Sequence, residues 1–342
     1  MRVVVTACHV PFVRGGAERH MQGLVDAFRA AGHETELMRV PFSFFPESAV
    51  EHSMDFCAGL DLNQTSGPAP DLVVSLQFPG YGIEHERHVV WLMHQHRAVY
   101  ELFGTLIKET PALSRLRERV MDFDYHALSK ARRLFANSER VAERLKQFNG
   151  LEATPLLHPP PEAEQFYCAE SWGYVVFPSR LENLKRQWLL IEAAAHLTSK
   201  TKIVLLGEGP QEAALAERIE ALGLKDRVLL RGFCDRREQL SWYAHALAVF
   251  FGPDDEDLGY VTLEAMLASK PVITCTDSGG PLAFVSHEQT GWVCEPEPQA
   301  VAASIDAAAE NPARTAEMGV NARAAIDALD LSWSRVVAQL VS

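Results

Sequence analysis

The sequence predicts an α/β protein made of two Rossmann-like, doubly wound domains. Three observations carry that expectation. Short apolar runs alternate with helix-like stretches along the chain, the pattern of a parallel sheet with crossover helices. A segment at residues 154–166, TPLLHPPPEAEQF, breaks the alternation with three consecutive prolines, which neither a helix nor a central strand accepts. The chain has 342 residues, 47% hydrophobic and 23% charged, enough for two ordinary domains with their own cores.

Residues 3–7 read as a buried strand, 17–31 as an amphipathic helix ended by Gly32, and 36–40 as a second strand. Residues 71–76, 89–93 and 133–136 supply further strands. With 154–166 as the linker, the first domain is expected over residues 1–165 and the second over 166–329. A second series of strands follows at 174–178, 202–206, 228–231, 248–251 and 272–274. Near the end, Trp333, Val336, Val337 and Leu340 recur at helical spacing behind Ser332, a candidate cap, so residues 331–341 read as an amphipathic helix.

A formal charge of −13 argues against a general nucleic-acid binder, which ordinarily carries a basic face. The six cysteines, at 8, 57, 168, 234, 275 and 294, form no C-x-x-C pair and no tight metal spacing, so reduced and mostly buried thiols are expected. No basic start leads into an apolar run, and no apolar stretch is long enough to cross a bilayer, which places the expected location in the cytoplasm.

The most informative segment is PDDEDLGYVTLEAM at 253–266, followed by ASKPVITCTDSGGP. Glu256 and Glu264 stand eight apart around a glycine turn that opens an apolar helix, with Lys270 and Pro271 closing it before a short strand. The helix start aims the backbone N–H groups of Gly259, Tyr260, Val261 and Thr262 at whatever precedes it, a place that suits a phosphate. Glu264, an acceptor when ionised, suits the two hydroxyls of a ribose, and Glu256 a group beyond the phosphates. Asp254 and Asp255 read as a solvated acidic loop.

This arrangement resembles the E-x7-E signature of the retaining glycosyltransferases of family 4, which have the GT-B architecture of two Rossmann-like domains facing across a cleft. The stretch at 174–193, YVVFPSRLENLKRQWLLIEA, resembles the same family's strand, Arg-Leu, lysine and apolar helix. The resemblance runs from Gly15-Gly16 to Ser332-Trp333. It implies that Arg180 and Lys185 hold the donor's phosphates, that Glu256 acts beside them at the sugar, and that the last helix, residues 330–342, packs back on the first domain. It also implies that the turn with Gly207 and Gly209 lies beside the nucleotide, that Arg231 and Phe233 mark the strand end that reads the base, and that Gly15 and Gly16 belong to the first domain's mobile loop. Taken singly, the turns at 206–210 and 231–234 are nearly as well read as ordinary turns, and a Gly-Gly turn such as Gly15-Gly16 is most often only a turn. Leu206-Gly-Glu-Gly-Pro210 lacks the third glycine of a dinucleotide fingerprint. Leu258 departs from the family's usual phenylalanine.

His94-Gln-His96-Arg97 follows the strand at 89–93. By resemblance His94 contacts the transferred sugar, with His96 the second choice, while His96 and Arg97 are expected on the acceptor side. A buried structural histidine is the competing reading, and a zinc pair lacks a third ligand of clear spacing. The donor is expected to be a UDP- or GDP-linked sugar, with no cofactor and no metal. The acceptor is expected to be a glycan, a lipid-linked glycan or a small molecule, bound by the first domain. Aromatic residues at 42–45 and nine basic side chains over 115–146 would suit peripheral contact at the inner face of the membrane. Core packing and solvated helix faces are the preferred reading of those residues. Two other functions fit the fold: a sugar-nucleotide epimerase, which would alter its donor with no acceptor present, and a module that binds a sugar nucleotide without turnover.

Overall fold

A computed structural model describes residues 1–12 and 15–342 and divides into two compact units, Met1–Pro161 with Ser332–Ser342, and Glu162–Leu331. The first unit runs β1 (Arg2–His9), α1 (Gly16–Ala30), β2 (Glu34–Pro41), α2 (Glu47–Ala58), β3 (Leu72–Ser75), β4 (His88–Leu92), α3 (Pro111–Ser129), β5 (Arg133–Ala136), α4 (Glu139–Asn149) and β6 (Thr154–Pro155). Its sheet has the order β2-β1-β3-β4-β5-β6, every pair parallel.

Strand periodicity explains how that sheet is covered on both sides. Val3, Val5, Ala7, Leu72, Val74, Val89 and Trp91 project to one face, against Met21, Leu24, Val25 and Phe28 of α1. Their neighbours Cys8, Val90, Leu92 and Ala136 project to the other, against Val50 and Met54 of α2, Leu113, Leu116 and Val120 of α3, and Val141 and Leu145 of α4.

The second unit runs β7 (Tyr174–Pro178), α5 (Gln187–Ala194), β8 (Lys202–Leu206), α6 (Glu212–Ala221), β9 (Val228–Gly232), α7 (Arg236–Ala244), β10 (Ala248–Phe250), α8 (Tyr260–Leu267), β11 (Val272–Cys275), β12 (Gly291–Cys294), α9 (Pro298–Glu310) and α10 (Pro312–Ala328). Its parallel sheet has the order β12-β11-β10-β7-β8-β9. From β7 the chain winds one way through β8 and β9, then returns to β10 and winds the other way. The β7/β10 boundary is therefore the topological switch point, where a doubly wound sheet opens a crevice beyond its strand ends.

The last helix, α11 (Trp333–Val341), buries Val336, Val337 and Leu340 in the first unit's core beside α1. Ser332 caps it, its hydroxyl accepting from Arg335 N at 3.3 Å. Trp333 lies so close to Gly23 of α1 that a Cβ there would sit 2.5 Å from the indole.

Two expectations change at this level. The stretch read as a linker from residue 154 begins as strand β6, pairing Thr154 with Phe135 and Pro155 with Ala136. Proline is admissible there because β6 is an edge strand, with no neighbour needing its missing N–H. The acidic run is also more ordered than a solvated loop: Asp254 and Asp255 are half-buried, and their amides donate to Leu184 O at 2.8 Å and Asp277 O at 3.0 Å.

Candidate functional site

In the second unit the switch point gathers the loops after β7 and β10. The β7 loop presents Arg180, then a short 3-10 turn Asn183–Lys185. The β10 loop runs through Glu256 to Gly259, the N-cap of α8. Lys185 Nζ and a Glu256 carboxylate oxygen form an ion pair across the switch point, with Lys185 21% and Glu256 17% exposed. The Lys185 ammonium also stands 5.7 Å from the centroid of the Phe251 ring. Arg180 is more open, paired with Glu182 at 2.9 Å.

The backbone around Glu256 is held from the β11 side. Its amide donates to Ser278 O at 3.0 Å, and its carbonyl accepts from Gly280 N at 2.8 Å. Arg186, which sequence reasoning passed over, ties the three loops together. Its guanidinium donates to Gly252 O and Pro253 O after β10, and grips both oxygens of Asp277 after β11, each at 2.7 Å. No signal in the sequence marked it, because its partners lie 66 to 91 positions away.

Glu264, on α8, is nearly fully buried at 3% exposure. Its carboxylate accepts from Tyr243 Oη at 2.7 Å and pairs with Arg236 at 3.3 Å, and Arg236 is itself paired with Glu162 at 2.7 Å. The amides at the start of α8 are not all offered outward: Thr262 N donates to Gly259 O at 3.0 Å and closes the first turn, while the Thr262 hydroxyl is buried without a partner.

Gly207 and Gly209 lie after β8, packed on the backbone of Ser179 and Leu181 in the β7 loop. Leu181 N donates to Glu208 O at 3.0 Å, and Gly207 N to Gly232 O at 2.9 Å, so the loops after β7, β8 and β9 form one connected rim. At its β9 end, Arg231 pairs with Glu238 at 2.6 Å, and the Phe233 ring is 68% exposed.

The first unit carries the remaining candidates. Gly15 caps α1 and Gly16 begins it, at the switch point between β1 and β3, and Gly15 N donates to Glu18 Oε2 at 3.0 Å. His94 is half-buried, with Nδ1 2.8 Å from Gln95 O. His96 is 6% exposed and stacks on Phe78 at 5.2 Å, with Phe42 at 6.1 Å and Phe44 at 6.3 Å. Burial, with His94 nearby, pushes its imidazole down to about 4, so it is neutral at pH 7. Arg97 forms an ion pair with Glu101, which Arg144 also meets at 3.3 Å. Of the aromatic loop at 42–45, Phe42 enters the core while Phe44 and Phe45 are exposed.

Among the described residues, no group of three or more His, Cys, Asp or Glu side chains is placed to hold a metal ion, and no helix is long and apolar enough to cross a membrane.

Residues 169–325 match the family described as "Glycosyl transferases group 1". The human alpha-1,3/1,6-mannosyltransferase ALG2 is 30% identical over 165 residues, 43% of this chain. The matched stretch spans 39% of that relative's length. Sucrose-phosphate synthase from Thermosynechococcus elongatus superposes with a TM-score of 0.79 at 18% identity, covering 99% of this chain and 97% of that one. HepE of Anabaena, solved in complex with UDP and glucose, superposes with a TM-score of 0.74 at 18% identity, covering 100% of this chain and 99% of that one. At such identity these likenesses establish the fold alone. The fold is thus GT-B, and residues 169–325 carry the sequence pattern of the group 1 glycosyl transferases.

Proposed function

We propose that the protein is a retaining glycosyltransferase that moves a hexose-type sugar from a UDP- or GDP-linked donor to a glycan, lipid-linked or small-molecule acceptor, without a metal ion. The observation that carries this reading is the Lys185–Glu256 pair across the switch point, inside the stretch that matches the family. HepE, solved with UDP and glucose, supports a uridine nucleotide, and the match to a mannosyltransferase supports a hexose.

Breaking a sugar–diphosphate bond builds negative charge on the leaving oxygen. Lys185, Arg180 and the start of α8 at Gly259, Tyr260 and Val261 offer charge and dipole to that oxygen and its phosphates. A bound diphosphate would compete with Glu256 for the Lys185 ammonium and release the carboxylate to accept from a sugar hydroxyl. Glu264 takes the ribose hydroxyls, while Tyr243 and Arg236 keep its carboxylate oriented. Gly207, Gly209, Arg231 and Phe233 border the base, and in the first unit the family resemblance assigns donor binding to Gly15 and Gly16 and the sugar contact to His94. His96 and Arg97 belong to the acceptor side, where they would share their present partners with the acceptor.

The test is transfer from UDP- and GDP-sugars to a panel of acceptors, with the product anomer read by NMR and the assay repeated in EDTA. Retention of configuration, insensitivity to EDTA and a loss of about 100- to 1,000-fold in kcat for Lys185→Ala are expected. An inverted product, dependence on added metal, or an altered donor released with no acceptor would overturn the reading.

A further inference from the structure

We infer that Cys275 and Cys294 form an oxidisable thiol pair, which a hydroperoxide closes to a disulfide that pins the edge strand β12 and the loop bearing Asp277. The two cysteines end neighbouring parallel strands and face each other in register. Neighbouring strands lie about 4.8 Å apart, within the Cα separation a disulfide spans. Cys294 Sγ donates to Thr274 O, in the residue before Cys275, at 3.5 Å. Of the six cysteines, all are free thiols, and Cys275 and Cys294 are directly opposed in a strand pair.

The pair is asymmetric in a way that orders the chemistry. Cys275 is fully buried, its sulfur against Gly252, where a Cβ would come within 2.8 Å of it. Cys294 is partly exposed and is the sulfur a small oxidant reaches. The Cys275 thiol beside it, against the opposing effect of burial, holds the Cys294 thiol below its usual value and so favours the thiolate, the nucleophilic form. Cys294 thiolate attacks the peroxide O–O bond to give a sulfenic acid and hydroxide. The Cys275 sulfur then displaces the sulfenic oxygen, forming the S–S bond, and its proton leaves with that oxygen as water. Two thiols and one hydrogen peroxide thus yield one disulfide and two waters.

The bond would act on backbone that frames the candidate site. Thr276 N donates to Cys294 O at 2.9 Å, and Cys275 N to Ser278 Oγ at 3.1 Å. Asp277 and Ser278 in turn hold Arg186 and the amide of Glu256. β12 is an outermost strand, so a covalent link to β11 removes its freedom to fray.

The experiment exposes the folded protein to hydrogen peroxide, blocks free thiols, and digests after glutamate, which cuts at Glu288 between the two cysteines. A Cys275–Cys294 linked peptide pair, reversed by dithiothreitol, is expected in the protein and in Cys168→Ser, and absent from Cys294→Ser. Amide exchange over residues 276–281 and 291–294 should slow at least several-fold in the linked form. Oxidation of Cys294 to sulfinic acid with no link, a link to another cysteine, or no reaction would overturn the pairing. A link that leaves exchange unchanged would overturn the pinning.

Discussion

Gly259 stands where a side chain has no room. Its φ is +81°, and a Cβ would lie 2.7 Å from the Phe251 ring, the ring beside the Lys185 ammonium. Gly259→Ala should therefore cost about 1–3 kcal/mol in stability, measured by denaturant unfolding. A cost within error of zero would mean that the turn relaxes. Arg186 argues the same scale from charge. Its planar fork meets both oxygens of Asp277 while reaching two carbonyls, a geometry that lysine's single ammonium does not reproduce. Arg186→Lys should lower stability by about 1.5–3 kcal/mol, seen as a shifted denaturation midpoint. Glu256, Glu264, Arg180 and Lys185 stood out as candidates because they stand in compact local patterns. Arg186, Tyr243 and Arg236 were not, since what they do depends on partners that only the folded chain brings near.

Among the elements, α8 and α11 contrast in what they bury. From Thr262 to Leu267 every residue of α8 is buried, so its pattern of apolar residues marks a helix enclosed on all sides rather than a stripe. That enclosure is what immobilises Glu264. The α11 helix instead buries one face, Val336, Val337 and Leu340, and that spacing was readable directly. Leu340, 1% exposed in the first unit's core, should cost about 2–5 kcal/mol on Leu340→Ala, measured by denaturant unfolding. A loss below 1 kcal/mol would show that α11 is dispensable to that core. Strands of five residues or so with uniform apolar character were legible, while β6 and β12 were passed over. The first is two residues long and carries a proline, and the second is Gly-Trp-Val-Cys, a run too short and mixed to stand out from a turn.

For the whole molecule, two parallel sheets covered by helices follow from the alternating pattern, and the fold class was legible for that reason. The buried polar groups were not, and they set the pH response of the first unit. Burial lowers His88, His96 and His158 from 6.5 to about 4, and His20 well below its ordinary value. Between about 4 and 6.5 the unfolded chain binds more protons at these sites, so stability falls as pH falls through that window. Asp124, raised to about 7 by burial against the opposing hydrogen bonds from Tyr100 and Tyr81, works oppositely, binding its proton in the folded state and losing stability as pH rises. Four imidazoles outweigh one carboxyl, so the melting temperature should drop from pH 7 to pH 5, and a rise would contradict the burial account. The central claim concerns the second unit as a nucleotide-sugar site, and calorimetric titration with UDP and GDP tests it most directly. One nucleotide should bind, and Lys185→Ala and Glu264→Ala should each weaken it at least about tenfold, the loss of a charge-assisted contact. No binding of either nucleotide by folded protein, or undiminished binding in both variants, would contradict the account.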